Sequence, residues 1–261
     1  MKTLIIFSLF SSYIISTHLP KSDDFRFPGT TEVVANFFVD QREICNIDWR
    51  EYMYALQELH GATSPIYLRA QPDTSVWDNT DSSYLVPFKN TYFTHPAYDN
   101  FPVVGISHAQ AVAYCKWRTD RVREMLRSYD VQPPKFKYRL PTKTEWELIA
   151  NAGYSKKQRK HLAKIEKKKD YDGIFRTCNM IYSGSKSAKS MLAPARTYYP
   201  NKYNVYNIYG NAAEMVAEPN IAMGGSHRHS YYDIVPTNKE IPYDGPQHWL
   251  GFRCVAEILD K

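Results

Sequence analysis

The sequence predicts a single α+β domain that is rich in loops, and three observations carry this prediction. The first half contains two amphipathic helix patterns, each with a recognisable start. The second half consists of short segments separated by turn residues, such as those at 183–185 and 244–246. With 261 residues and 43% hydrophobic content, the chain is long enough to bury one substantial core.

The N-terminus has the pattern of a secretory signal peptide. Lys2 precedes an apolar run from Leu4 to Ile15, which is too short to span a bilayer, and the small residue Ser16 follows. We expect residues 1–16 to form the signal, residues 17–31 an extended lead-in, and residues 32–261 one domain. Export places the protein in the periplasm, at the outer membrane or outside the cell. The alternative is a hydrophobic N-terminus on a cytosolic protein.

The first elements are predicted from composition and spacing. Residues 32–40 are rich in Val and Phe, which predicts a strand. Asn46 is predicted to cap the first long helix, whose apolar residues recur at helical spacing up to Leu59. Gly61 is predicted to end that helix. Residues 62–102 have no regular period and are predicted to form ordered loop.

Two further helices are predicted from capping boxes. In a capping box, the side chains of two residues three positions apart each accept a hydrogen bond from the other residue's backbone amide. Ser107 with Gln110 marks the start of the second long helix, and Thr142 with Glu145 marks a shorter one. The buried stripe predicted for the second long helix consists of Val112, Cys115, Thr119, Val122 and Leu126.

The positive charge of the chain is local. The run that begins at Ser155 and ends at Lys169 contains eight Lys or Arg and one Glu, so it accounts for the whole net charge of +6. Such a run is most often a solvated helix or loop. The alternative is that it binds an acidic partner protein or an anionic membrane surface. Nucleic-acid binding is not expected, because the charge is confined to one run and no recognised module is present.

Motifs of the second half follow one another in a fixed order: YRLPTKTEWE at 138–147, YNIYGNAAE at 206–214, GGS at 224–226 and GFRC at 251–254. Together with FPVVGISHAQAVAYCKW at 101–117, they resemble the formylglycine-generating enzyme family, also called the sulfatase-modifying-factor domain. The resemblance covers most of the predicted domain. It implies a variant of the C-type-lectin fold, compact and loop-rich, with short strands and two main helices.

The resemblance breaks down where the family carries its chemistry. Active members oxidise a substrate cysteine with a copper-binding cysteine pair that follows the GGS motif, and those two positions are His229 and Ile234 here. A thiolate is the soft ligand that selects Cu(I), and Ile234 offers no ligand atom. We therefore expect no copper and no catalytic residue at these positions.

Two further features are implied by the resemblance. One is a calcium site, where an amide oxygen, backbone carbonyls and a carboxylate supply hard donors; it would consist of Asn207, Gly210, Ala212 and Glu214. The alternative is a turn in which Asn207 and Glu214 bond backbone amides and no ion is held. The other feature is a disulfide between Cys115 and Cys254, with two buried thiols as its alternative.

A second likeness lies in the middle of the chain. PDTSVW at 72–77, HPA at 95–97 and CKWRT at 115–119 resemble the gliding-motility and type IX secretion proteins. Those are envelope components, commonly lipoproteins, built on the same domain without the cysteine pair. This chain differs from them in its short length and in having no lipid-attachment cysteine after the apolar run.

Three functions are compatible with these observations. The first is a non-catalytic structural or interaction protein of the cell envelope, with other envelope proteins as partners. The second is an enzyme with different chemistry, since an extended strand would turn His227 and His229 to one side, where both could bind one metal ion. Its candidate acid, base or ligand residues are His227, His229, Tyr231, Tyr232, Asp233 and His248. The third is a calcium-dependent ligand-binding module.

Overall fold

The computed structural model describes residues 27–78, 87–128, 134–165, 178–182 and 191–260. The predicted signal peptide at 1–16 and most of the predicted lead-in at 17–31 lie outside the described residues. Within the described ranges, no helix has the length and apolar character needed to cross a membrane.

The described chain alternates helices with short strands, which confirms the α+β, loop-rich class. The helices are α1 (Asn46–His60), α2 (Pro65–Arg69), α3 (Phe88–Thr91), α4 (His108–Ser128), α5 (Lys143–Ala150), α6 (Lys156–Ile165) and α7 (Tyr231–Ile234). The strands are β1 (Thr30–Val34), β2 (Phe37–Asp40), β3 (Lys135–Arg139), β4 (Ala213–Met215), β5 (Ile221–Met223), β6 (Ile241–Pro242), β7 (Leu250–Gly251) and β8 (Val255–Asp260). The two longest helices, α1 and α4, are the two main helices that the sequence predicts.

The strands form two four-stranded sheets. The first has the order β1-β2-β8-β3 and is antiparallel throughout. The second has the order β6-β5-β4-β7, with a parallel pairing between β4 and β7. The last strand, β8, pairs with both β2 and β3, so Val255 lies opposite Val39 on one side and opposite Arg139 on the other.

The strand predicted at 32–40 is a hairpin instead. Asn36 has a φ of 66°, in the left-handed region that Asn tolerates better than most residues, and the chain reverses there between β1 and β2. Every residue of β2 is buried, whereas β1 is only partly covered. The Val- and Phe-rich composition identified the strands but concealed the turn between them.

The start of α1 also differs from the prediction. Cys45 is the cap, and its backbone amide donates to the Asp48 carboxylate at 2.8 Å. Asn46 is the first helical residue, and its Nδ2 donates to the carbonyls of Tyr92 and Tyr98, at 2.9 and 3.0 Å. Asn46 therefore fastens the following loop to α1 rather than capping the helix. Gly61 ends the helix as predicted, with a φ of 87°.

The region predicted as ordered loop contains short helices. Its described part includes α2, α3 and two 3₁₀ turns, Thr74–Trp77 and Pro96–Tyr98. Each of these elements is five residues or shorter, which is too short to leave a periodic pattern in the sequence.

The predicted capping boxes of α4 and α5 are both present. Ser107 and Gln110 bond each other's backbone amides at 2.6 and 3.3 Å. The stripe predicted for α4 is wrong at Val112, which is 48% exposed, because Ala111 and Tyr114 occupy the buried face instead. Tyr114 stacks on Trp49 of α1, with ring centroids 5.4 Å apart, so the buried face of α4 is rotated towards α1.

The core joins the two long helices to the GFRC segment. Trp49, Tyr114 and Phe252 are all buried, and Phe252 meets the other two rings edge-on at 6.0 and 5.5 Å. Edge-to-face contacts of this kind stabilise aromatic clusters beyond the area they bury. The C-terminal motif is therefore part of the main core, next to the helices of the first half.

Replacing Thr142 by alanine will lower the free energy of unfolding by about 1 kcal/mol, because the capping box of α5 is lost. Thr142 Oγ1 accepts from the Glu145 amide at 3.3 Å, and the Glu145 carboxylate accepts from the Thr142 amide at 2.8 Å. The measurement is chemical denaturation, with Thr142→Ser as the control that keeps the hydroxyl. An equal loss in both variants would show that the cap is not the source of the effect.

Candidate functional site

The GGS turn that follows β5 requires glycine at both of its first positions. Gly224 and Gly225 have φ values of 84° and 72°. A Cβ on Gly224 would lie 2.6 Å from the Ile208 carbonyl oxygen, and one on Gly225 would lie 2.4 Å from Cε of Met180. The backbone of the turn therefore lies directly against its neighbours, and this fixes the direction in which residues 226–229 leave the sheet.

Residues 226–229 form a turn rather than the expected strand. The His229 amide donates to the Ser226 carbonyl at 2.9 Å. The His227 ring lies 6.2 Å from the His248 ring, whereas the His229 ring meets Trp249 edge-on at 5.1 Å. The prediction of an extended strand that would turn His227 and His229 to one side is therefore wrong. Within the described ranges, no three His, Cys, Asp or Glu side chains are grouped so as to hold a metal ion.

The turn brings together a serine and a histidine that the sequence analysis did not pair. Ser226 Oγ lies 2.7 Å from Nδ1 of His229 and also accepts from the Arg228 amide at 3.2 Å. Burial and the neighbouring Arg228 lower the pKa of His229, which favours the neutral ring. Ser226 is fully buried, so its hydroxyl is not exposed to a substrate. Its hydrogen bonds within residues 226–229 stabilise the turn. Ser226 and His229 are three residues apart in a loop, and no sequence pattern predicts a contact between residues at that spacing.

The position of the family's second cysteine lies in the core. Ile234 is buried at the end of α7, and its Cγ2 lies 3.2 Å from the point where a Cβ on Gly225 would sit. On the same short helix, Tyr231 stacks on Tyr182 at 4.9 Å, while Tyr232 and Asp233 are exposed. Because His227 is buried, the six candidate residues do not share one accessible face.

The middle-chain motif packs beside the GGS turn. The Trp77 ring lies 5.3 Å from the His248 ring, and Arg228 Nη1 lies 3.0 Å from His248 Nε2. The Asp73 amide donates to the Gly105 carbonyl at 2.6 Å, which joins the segment at 72–77 to the motif at 101–117. The segment at 72–77 therefore reaches the turn through His248, a contact that sequence order does not reveal.

Glu214, one of the four predicted calcium ligands, is held in a buried ion pair. Its carboxylate accepts from Arg253 Nη2 at 2.5 Å, from Arg253 Nε at 2.7 Å and from Trp146 Nε1 at 2.9 Å. Arg253 also donates to the carbonyls of Asp40 and Tyr206. The alternative in which Glu214 bonds backbone amides is therefore wrong, since its partners are side chains.

The other three predicted ligands are buried as well. Asn207 has a φ of 48°, and its Nδ2 donates to Glu43 at 3.3 Å. Its Oδ1 is buried and has no hydrogen-bond partner among the described residues. The Gly210 amide donates to the Gly224 carbonyl at 2.9 Å, so the loop that carries these residues is attached to the GGS turn. Ala212 is buried alongside.

Glu43 is the residue of this region that the sequence analysis missed. It is fully buried, and its carboxylate accepts from Asn211 Nδ2 at 2.9 Å as well as from Asn207. The pKa of Glu43 is raised to about 7, chiefly by burial and also by the nearby Glu214, although Arg253 and the Asn211 hydrogen bond act in the opposite direction. A single glutamate beside a strand has no pattern that marks it as buried.

Cys115 and Cys254 lie next to each other in the core. Their sulfur atoms are 3.4 Å apart and both residues are buried as free thiols. A disulfide requires a separation of about 2.05 Å. The bridge therefore stays a prediction, with its two partners already adjacent. Cys45 and Cys178 are buried thiols elsewhere, and Cys178 Sγ contacts the Tyr182 hydroxyl at 3.3 Å.

The family of the chain follows from a comparison with known proteins. A family model described as the sulfatase-modifying factor enzyme 1-like domain matches residues 14–258. Because the match covers most of the sequence, the chain belongs to this family, as its motif order and fold indicate.

The named relatives have low sequence identity to this chain, but the matches cover most of it. The formylglycine-generating enzyme of Mus musculus is 23% identical over 275 residues, which cover 89% of this chain and 69% of the relative. That of Thermomonospora curvata is 22% identical over 278 residues, covering 89% and 86%. The crystal structure of CarF has a TM-score of 0.50 at 17% identity, covering 86% of this chain and 87% of CarF. The last comparison supports the fold alone.

The raised pKa of Glu43 predicts a pH-dependent stability. An unfolded glutamate titrates near 4.5, so between about pH 4.5 and 7 the folded protein binds the proton more tightly than the unfolded chain does. The free energy of unfolding should therefore fall across this range, by roughly 3 kcal/mol, and level off above it. Glu43→Gln removes the titrating group, so its curve should lack this contribution.

The measurement is urea denaturation of both proteins between pH 5 and pH 8 in buffer with a chelator. Glu58→Gln, at an exposed position on α1, is the control and should follow the wild-type pH dependence. Parallel curves for wild type and Glu43→Gln would contradict the assignment.

Proposed function

We propose that this protein is a non-catalytic interaction or structural protein of the cell envelope, built on a formylglycine-generating-enzyme scaffold. The observation that carries the proposal is the state of the two positions where active relatives have cysteines. His229 is bound within its turn by Ser226, and Ile234 fills the core beneath Gly225. Neither position carries a thiol, so neither supplies the sulfur nucleophile or the soft ligand of the family's reaction.

The residues present do not fit the copper site of the family. Cu(I) is selected by soft sulfur ligands, and all four cysteines of the chain lie elsewhere, as buried thiols. Nδ1 of His229 is already engaged by Ser226, and Ile234 has no donor atom.

The retained parts of the scaffold support a binding role. The buried Arg253–Glu214 pair, the glycine turn and the aromatic core hold the loops in place without contributing to chemistry. The apolar N-terminal run supports export, and the likeness at 72–77, 95–97 and 115–119 supports a link with gliding motility or type IX secretion. Partners would then be other proteins of the envelope.

The pure protein, loaded with copper, should not convert the cysteine of a sulfatase-derived peptide into an aldehyde. The readout is mass spectrometry of the peptide, with the Thermomonospora curvata relative treated identically as the positive control. Formation of the aldehyde by this chain would overturn the proposal.

Partner identity is a separate expectation. Crosslinking and affinity purification from the native host should recover other envelope assembly proteins. Recovery of sulfatases instead would favour a role close to that of the named relatives.

We further propose that the chain binds calcium at Asn207, Gly210, Ala212 and Glu214. The buried region fits a hard cation in two respects. Asn207 Oδ1 is an oxygen donor without a partner among the described residues, and Glu43 and Glu214 supply two carboxylates against the single charge of Arg253. Oε1 of Glu214 accepts one described hydrogen bond, which leaves a lone pair for an ion. Bound calcium would hold the loop that carries the turn, without acting in a reaction.

Calcium at millimolar concentration should therefore raise the melting temperature, and magnesium should not, since Mg²⁺ prefers a smaller octahedral site. Asn207→Ala should abolish the response because it removes one donor. Asn204→Ala is the matched control, since Asn204 is exposed in the same loop and also has a positive φ of 64°. An unchanged calcium response in Asn207→Ala would contradict the assignment.

A further inference from the structure

A basic cleft opens where α6 meets the loop at 199–206. Its volume is about 600 Å³. Three exposed lysines line it, Lys157 and Lys160 from α6 and Lys202 from the loop, together with the half-buried rings of Tyr199 and Tyr206. No carboxylate side chain lines this cleft in the described part of the chain.

The two walls of the cleft are tied together. Gln158 Nε2 donates to the carbonyls of Pro200 and Asn201, at 3.2 and 2.8 Å. The Lys202 amide donates to the Gly153 carbonyl at 2.8 Å. Asn201 Nδ2 reaches the Ile149 carbonyl at the end of α5, also at 2.8 Å. The lysines are therefore carried on a backbone that is already ordered before any ligand arrives, which lowers the entropic cost of binding.

No carboxylate of the described residues neutralises the charge of the cleft. Lys157, Lys160 and Lys202 form no ion pair with any described residue. Lys202 instead lies over the Tyr203 ring, with its Nζ 4.9 Å from the ring centroid. Like charges that converge in a concave site focus their potential and attract an anionic partner.

The shape and chemistry of the cleft favour one kind of anion. None of the exposed large apolar side chains of the described residues lines the cleft, whose lining instead contains three lysines and two tyrosine rings. In the first turn of α6, Ser155 and Gln158 occupy each other's backbone amides, which removes two of the donors that an anion at a helix N-terminus would use. Lysines carry flexible point charges, which suit carboxylates distributed along a chain, and tyrosine walls suit its apolar parts.

We propose that this cleft binds an acidic segment of a partner protein, with glutamate or aspartate side chains placed against Lys157, Lys160 and Lys202. The inference rests on the proposed interaction role and assigns it a surface. This surface lies on α6 and the loop at 199–206, not on the residues that replace the family's cysteine pair.

The test uses the full chain and a fluorescein-labelled oligo-glutamate peptide that contains tyrosine, measured by fluorescence anisotropy. The triple variant Lys157→Gln, Lys160→Gln, Lys202→Gln should weaken binding on the order of tenfold, because each exposed pair contributes modestly. The control variant Lys116→Gln, Lys156→Gln, Lys239→Gln removes the same charge from exposed positions outside the cleft and should retain wild-type binding. All six positions are exposed, and circular dichroism of each variant checks the fold.

Equal weakening in both triple variants would overturn the proposal, because it would mean that overall charge and not the cleft attracts the peptide. Binding to phosphatidylserine vesicles that depends on the three cleft lysines, without binding to the peptide, would overturn it in favour of a membrane surface. Neither outcome bears on catalysis, which the peptide-conversion assay decides separately.

Discussion

The arrangement of the protein depends on one buried ion pair, between Arg253 of the GFRC motif and Glu214 of β4. Both side chains are fully buried, so both have lost their hydration and each depends on the other. Burying an isolated charge is costly, and removing one partner of such a pair typically costs about 3–5 kcal/mol. The geometry compensates with a bidentate contact and with carbonyl acceptors for two further guanidinium hydrogens.

This pair connects parts of the chain that are distant in sequence. Arg253 joins β4 to the end of β2 through the Asp40 carbonyl and to the loop at 199–206 through Tyr206. Trp146 of α5 reaches the same carboxylate, so a helix, both sheets and a loop meet at one charge. The loops around the GGS turn are therefore held by contacts outside the two positions where the family carries its cysteines. Loss of those cysteines leaves the scaffold intact, which is why the fold and the proposed loss of chemistry are compatible.

The sequence predicts elements whose causes are local. The capping boxes at Ser107 and Thr142 and the end of α1 at Gly61 depend on residues within one helical turn, and the structure confirms each of them. The hairpin at Asn36 was missed because apolar composition is the same on both sides of the turn.

The candidate site depends on contacts over longer distances. Glu43 is buried because Asn207 and Asn211, far along the chain, come to lie against it. His227 and His229 lie in a turn and not in a strand, directly after Gly224 and Gly225, where an added Cβ would meet neighbouring atoms. The spacing of residues along the chain indicates neither the burial of Glu43 nor the turn at 226–229. The motifs therefore predicted the region of the site, but not the contacts within it.

The central place of β8 in the first sheet has a consequence for the order of events during folding. Strands β2 and β3 lie on either side of it and have no pairing with each other. The hairpin of β1 and β2 therefore has no further strand to pair with until β8 has been synthesised. Residues 255–260 must therefore be synthesised before this sheet can close, and contacts of such high sequence separation make closure slow. Until then the two halves of the first sheet have no strand to join them.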